Sequence, residues 1–104
     1  MSLDIYLKAR VITTVYDSNV THNLTEMWDR AEIYNDLYNS EGKKAKEVVN
    51  NLKKGFEKMR LEPDVYIALE PSNGWGDYTV AMNFLGELIR QCELYPNSIV
   101  HISK

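Results

Sequence analysis

The sequence predicts an α+β fold: a small, mainly antiparallel sheet of two N-terminal strands and one C-terminal strand, packed on three helices. Three observations carry this expectation. The first residues alternate apolar with polar, the period of a strand with one buried side. Three stretches in the middle of the chain place apolar residues at helical spacing, and the last residues return to a β-branched run. With strands at both ends and only helices between them, the termini must pair with each other.

Taken in order, Leu3, Ile5 and Leu7 alternate with Asp4, Tyr6 and Lys8. The run RVITTVY, residues 10–16, is β-branched and aromatic and reads as a second strand. No Gly or Asn-Gly separates the two, so they read either as a hairpin turning near residues 8–10 or as one long bent strand. From Leu24 the period changes. Leu24, Trp28, Ala31 and Tyr38, with Met27 and Tyr34 beside them, form one helical stripe, and Glu26, Asp29, Glu32 and Asp36 cover the opposite side. This first helix is expected to end near Asn39. Ala45, Val48, Val49, Leu52, Phe56 and Met59 mark a second helix with lysines around the rest of its wheel. Gly55 inside it costs about 1 kcal/mol against Ala, which suits a place where another element comes close. Pro63 ends that helix, and residues 64–69 form a short helical or extended piece. EPSNGWGDY, residues 70–78, is a loop by its Pro71, Asn73-Gly74 and Gly76, with Asp77 as N-cap of a third helix. Tyr78, Met82, Leu85, Leu88, Ile89 and Cys92 share a face there; YPNS closes it, and residues 98–103 form the last strand.

A chain of 104 residues fits one domain and buries enough surface for one core without staples. The single cysteine, Cys92, excludes an internal disulfide, and no Cys/His spacing suggests zinc, so a reducing cytoplasm is expected and no metal or cofactor. The first residues lack a basic stretch followed by a long apolar one, so no signal peptide is expected; no apolar run approaches the length of a membrane span. The two glycosylation sequons, at Asn19 and Asn23, are then chance matches. The net charge of −3 hides an asymmetry: residues 41–60 carry seven basic residues against three glutamates, a local +4, which leaves −7 elsewhere. Direct nucleic-acid binding is not expected of such a chain.

Two polar blocks exceed what local structure needs. NVTHNL, residues 19–24, holds Asn19, Thr21, His22 and Asn23 between a strand and a helix. Asn23 with Glu26 three residues on matches a capping box, which accounts for Asn23. Asn19, Thr21 and His22 are not needed for that, and a strand leading into a helix N-terminus favours a polar or anionic ligand. Histidine is the side chain whose unperturbed pKa suits a general base, so His22 is a candidate for that role, although a histidine at such a corner more often bonds a local carbonyl. The second block, SNGWGDY, places Trp75 between Gly74 and Gly76, with Asn73 before and Tyr78 after. The structural expectation is that the Trp75 ring folds onto the core and anchors the loop; the functional one is that Trp75 or Tyr78 stacks on a ligand. The spacing matches no phosphate-binding loop. The lysine side of the second helix reads as a solvated surface. Cys92 lies on an apolar stripe and reads as core filler, no carboxylate pair is evident, and His101 in the last strand meeting His22 is not expected.

The opening MSLDIYL, the NVTHNL…MW…AEIY block, the A…L…GF helix, the PSNGWGDY loop and the CELYPNSIVHIS ending, in this order, resemble a group of small phage and prophage proteins. Their matching blocks read N-I-T-H-N-L, N-P-x-N-G-W-G-x-Y and a Y-P-D-A ending. This chain lacks the insertion those proteins often carry between the first two strands, and has Trp28-Asp29 where they tend to have small residues. The resemblance implies a phage or mobile-element origin and a compact domain acting in a host cytoplasm; it implies no particular activity. The expectation drawn from both blocks is a non-enzymatic binding protein for a small polar or phosphate-bearing ligand. Asn19, Thr21, His22, Asn23 and Asn73 would hydrogen-bond the ligand, Gly74 and Gly76 would shape the backbone, and Trp75 or Tyr78 would stack. The alternatives are an inhibitor of a host defence protein, anti-CRISPR for example, working through the acidic side of the first helix, and a small hydrolase using His22.

Overall fold

The computed structural model describes residues 2–10 and 13–104. Strands β1 (Ser2–Arg10), β2 (Thr13–Thr21) and β3 (Ile99–Ser103) form one antiparallel sheet in the order β2-β1-β3. The fold is α+β, as the pattern predicts. β1 takes the centre because it pairs on both sides. Leu3, Ile5 and Leu7 point inward and are buried; Val20, Val100 and half-buried Ile102 stand beside them on the same side. The first two strands are a hairpin and not one bent strand, and β2 runs five residues past Tyr16 to Thr21. Val11 and Ile12, part of the expected second strand, lie outside the described residues.

A 3-10 turn (His22–Leu24) leads into α1 (Thr25–Arg30) and α2 (Tyr34–Tyr38), where the sequence predicts a single helix. The break is a Schellman closure. The Glu32 N–H donates to the Asp29 carbonyl and the Ile33 N–H to the Trp28 carbonyl, with Glu32 left-handed at φ 64°. A non-glycine residue there costs about 1–2 kcal/mol. Tertiary packing offsets it: Ile33 is buried in a notch above Gly55, where a Cβ would collide with its Cγ2. Gly55 thus serves the close approach its position suggests. Glu32 also pairs with Lys58 of the next helix.

That helix, α3 (Ala45–Leu61), begins with the Glu47 carboxylate accepting from the Lys44 N–H at 2.7 Å. Pro63 starts a short α4 (Pro63–Ile67), its missing N–H being no loss in a first turn. α5 (Tyr78–Leu94) begins as expected at Asp77, whose carboxylate accepts from the Val80 N–H at 2.8 Å. α3 and α5 pack together, α5 also meets β2, and the helices cover the inward side of the sheet. Trp28 is fully buried and meets Phe84 at 5.9 Å between ring centroids. Residues 41–44 lace the outer edge of β3: Gly42 N–H donates to the Val100 carbonyl and Val100 N–H to the Lys43 carbonyl. Among the described residues no helix is long and apolar enough to cross a membrane.

Among the described residues no helix covers the other side of the sheet. It presents Ser2, Asp4, Tyr6 and Lys8 from β1, Asp17, Asn19 and Thr21 from β2, and Ile99, His101 and Ser103 from β3.

Candidate functional site

The two polar blocks touch. Gly76 has φ 101°, and a Cβ on it would lie 2.8 Å from Thr21 Cγ2 and 3.3 Å from Leu24 Cδ2. Only glycine lets the loop settle this closely on the end of β2. The loop then holds its own shape. The Asn73 side-chain oxygen accepts from the Trp75 N–H at 2.9 Å, Glu70 accepts from the Tyr78 N–H at 2.8 Å, and Asp77 caps α5. Gly74, at φ 77°, turns in open space.

Between the blocks lies an open groove of about 480 Å³, lined by Ser2, Thr21, Asn23, Asn73 and Trp75. The expectation that Trp75 anchors the loop in the core is overturned: the residue is 69% exposed. The loop needs no such anchor, because Gly76 against Thr21 and the Tyr78 hydroxyl, donating to the Met59 carbonyl at 2.7 Å, already fix it. Capping differs as well. β2 continues to Thr21, so helical turns start at His22, and Thr21 Oγ1 accepts from the Asn23 N–H at 3.2 Å. Asn23 caps nothing; its carboxamide bonds no other described residue and faces the groove.

Three residues expected at the same site are elsewhere. His22 shares a 2.8 Å hydrogen bond between its Nδ1 and the Tyr38 hydroxyl, and its ring lies over Tyr38, which stacks in turn on Tyr34 at 4.5 Å. Burial, and next the neighbouring Tyr34, push the Tyr38 hydroxyl up to about 12. Tyr78 is engaged with Met59 and does not line the groove. Asn19 sits in β2 opposite Asp4 and lines a separate concavity of about 430 Å³ with Asp4, Tyr6, Asp17 and Ser18. Ser2, Asp4, Tyr6 and Asp17 were absent from the expected site; the β1 alternation already placed two of them, Asp4 and Tyr6, on the polar side, but which side stays uncovered is not a local property.

The remaining candidates resolve simply. His101 meets Glu41 at 2.8 Å and packs on Tyr6, so the two histidines have different partners. The acidic side expected of the first helix is dispersed: Glu32 pairs with Lys58, and Asp36 accepts from Asn51 at 3.3 Å. The lysine side of α3 reaches its neighbours through Lys58 and through Lys53, 3.0 Å from Glu93. Cys92 is buried, which pushes its thiol up to about 12. No family model, no curated protein and no solved structure matches the chain.

Proposed function

We propose that the groove between residues 19–24 and residues 71–77 binds a small uncharged polar ligand, without chemistry on it. One observation carries the reading: Trp75 stands exposed beside the unengaged carboxamide of Asn23 and the amide nitrogen of Asn73. A large aromatic left in water next to free amides suits a partner with an apolar face and polar edges.

An uncharged ligand fits better than a phosphate-bearing one. No lysine or arginine among the described residues lines the groove, and the Tyr78 and Val80 N–H groups at the start of α5 already donate to the Glu70 and Asp77 carboxylates. α1 is only six residues long, a weak dipole for an anion. The resemblance of both blocks to those of small phage and prophage proteins supports a binding protein acting in a host cytoplasm, as an association only. Inhibition of a host defence protein through residues 26–36 has less to stand on, since Glu32 and Asp36 are engaged within the chain.

The test is a two-dimensional amide spectrum of labelled protein titrated with glucose, N-acetylglucosamine, adenosine, uridine and inorganic phosphate. At least one uncharged compound should move the Thr21, Asn23, Asn73 and Trp75 signals. Trp75→Ala should abolish that response and His22→Ala should keep it. Binding of phosphate alone, or binding indifferent to Trp75→Ala, overturns the proposal.

A further inference from the structure

We infer that the ligand is an uncharged oligosaccharide that runs along β1, from Trp75 at one end to Tyr6 at the other; this rests on the groove reading above. The groove is not isolated. Ser2 pairs with Thr21 and the next outward pair is Asp4 with Asn19, so the groove and the concavity lined by Asp4, Tyr6, Asp17 and Asn19 lie next to each other on the outward side of the sheet. From Ser2 to Tyr6 the strand advances about 14 Å, the length of about two to three sugar rings.

The chemistry of this strip matches hydroxyl groups. A hydroxyl donates one hydrogen bond and accepts others, and the strip offers both kinds of partner: the carboxamides of Asn19, Asn23 and Asn73, the hydroxyls of Ser2 and Thr21, and the acceptor-only carboxylates of Asp4 and Asp17. No described lysine or arginine lines either concavity, and the two carboxylates repel phosphate, which disfavours a nucleic-acid strand. Among the described residues no group of three or more His, Cys, Asp or Glu side chains could hold a metal ion, so Asp4 and Asp17 do not make a cation site. The aromatic rings supply what the polar groups lack. The C–H face of a pyranose carries partial positive charge and rests on the negative face of Trp75 or Tyr6. Tyr6 is held for this by His101, packed on it at 5.9 Å from the neighbouring strand.

The experiment titrates the whole chain with glucose, galactose and N-acetylglucosamine and their linear oligomers of up to about four residues, read by tryptophan fluorescence and amide shifts. Trp28 is fully buried, so a fluorescence change reports Trp75. Within one sugar series, affinity should rise with length and level off at about three residues. Tyr6→Ala should cut trisaccharide affinity roughly fivefold and leave the monosaccharide unchanged. Asn19→Ala, at an exposed position, should reduce the length gain in the same direction without affecting folding. Length-independent affinity overturns the inference. Adenosine or uridine bound at Trp75 with no sugar bound overturns it too, while leaving the groove reading intact. If no compound reaches Trp75, both fall.

Discussion

Replacing Gly76 by Ala tests the contact on which the site depends. Two costs arise together. A side chain at φ 101° carries about 1–3 kcal/mol of backbone strain. The new Cβ, 2.8 Å from Thr21 Cγ2 and 3.3 Å from Leu24, adds about 1–3 kcal/mol of overpacking. The stiffer unfolded chain returns about 0.4–1 kcal/mol, so the net loss should lie within about 1–6 kcal/mol. Gly74→Ala is the control: its φ is also positive, but nothing lies within 4 Å of its Cβ, so only strain applies. Thr21→Ser removes Cγ2 and keeps the oxygen that accepts from Asn23; combined with Gly76→Ala it should recover on the order of 1 kcal/mol. Urea unfolding of five proteins, the wild type, Gly76→Ala, Gly74→Ala, Thr21→Ser and the double variant, measures this, since stability falls linearly with denaturant. The reasoning fails if Gly76→Ala costs no more than Gly74→Ala, or if the Thr21–Gly76 coupling is below about 0.3 kcal/mol.

Gly55→Ala and Gly86→Ala should have opposite signs. Both gain about 1 kcal/mol of helix propensity, but the first drives into Ile33 while the second meets Phe56 at an ordinary 3.4 Å; two stabilised variants in a urea series would refute the notch. Glu41 accepts from the Ile102 N–H at 2.7 Å, and that bond, then His101, holds its carboxyl below the ordinary 4.5. A depressed folded value stabilises above the unfolded one, and the contribution is lost as pH falls through the folded value. Glu41→Ala should therefore flatten the acid loss of stability below about pH 5 and speed Ile102 amide exchange at neutral pH; unchanged Ile102 exchange counts against the clip. Cys92 should resist an aromatic disulfide reagent at pH 8 in the native protein and react fully in urea, because burial holds the thiol protonated; rapid native labelling would show that α5 opens there.

Much of the fold is legible along the chain because it rests on local periodicity. Leu3, Ile5 and Leu7 declare one buried side of a strand, the Ala45–Met59 stripe declares α3, and Asp77 declares the start of α5. The Glu32 break does not show locally: no glycine marks it, and its stabilising partners, Gly55 and Lys58, lie over twenty residues away. The candidate site divides in the same way. Thr21, Asn23, Asn73 and Trp75 stand out as polar and aromatic residues beyond local need. Yet Asn19, His22 and Tyr78 stand out equally; hydrogen bonds to Tyr38 and Met59 hold His22 and Tyr78 away from the groove, and its register in β2 puts Asn19 in the neighbouring concavity.

By composition and pattern alone, then, the chain determines an α+β arrangement, an acidic balance and two polar blocks that local structure does not use up. The tertiary structure alone decides that the blocks meet through Gly76, that Trp75 faces water while His22 faces Tyr38, and that Asn19 joins Asp4 and Tyr6 in a concavity beside the groove. The physical reason is range. Periodicity and capping act over a few residues, whereas the use of each polar side chain depends on what the folded chain brings within hydrogen-bonding distance.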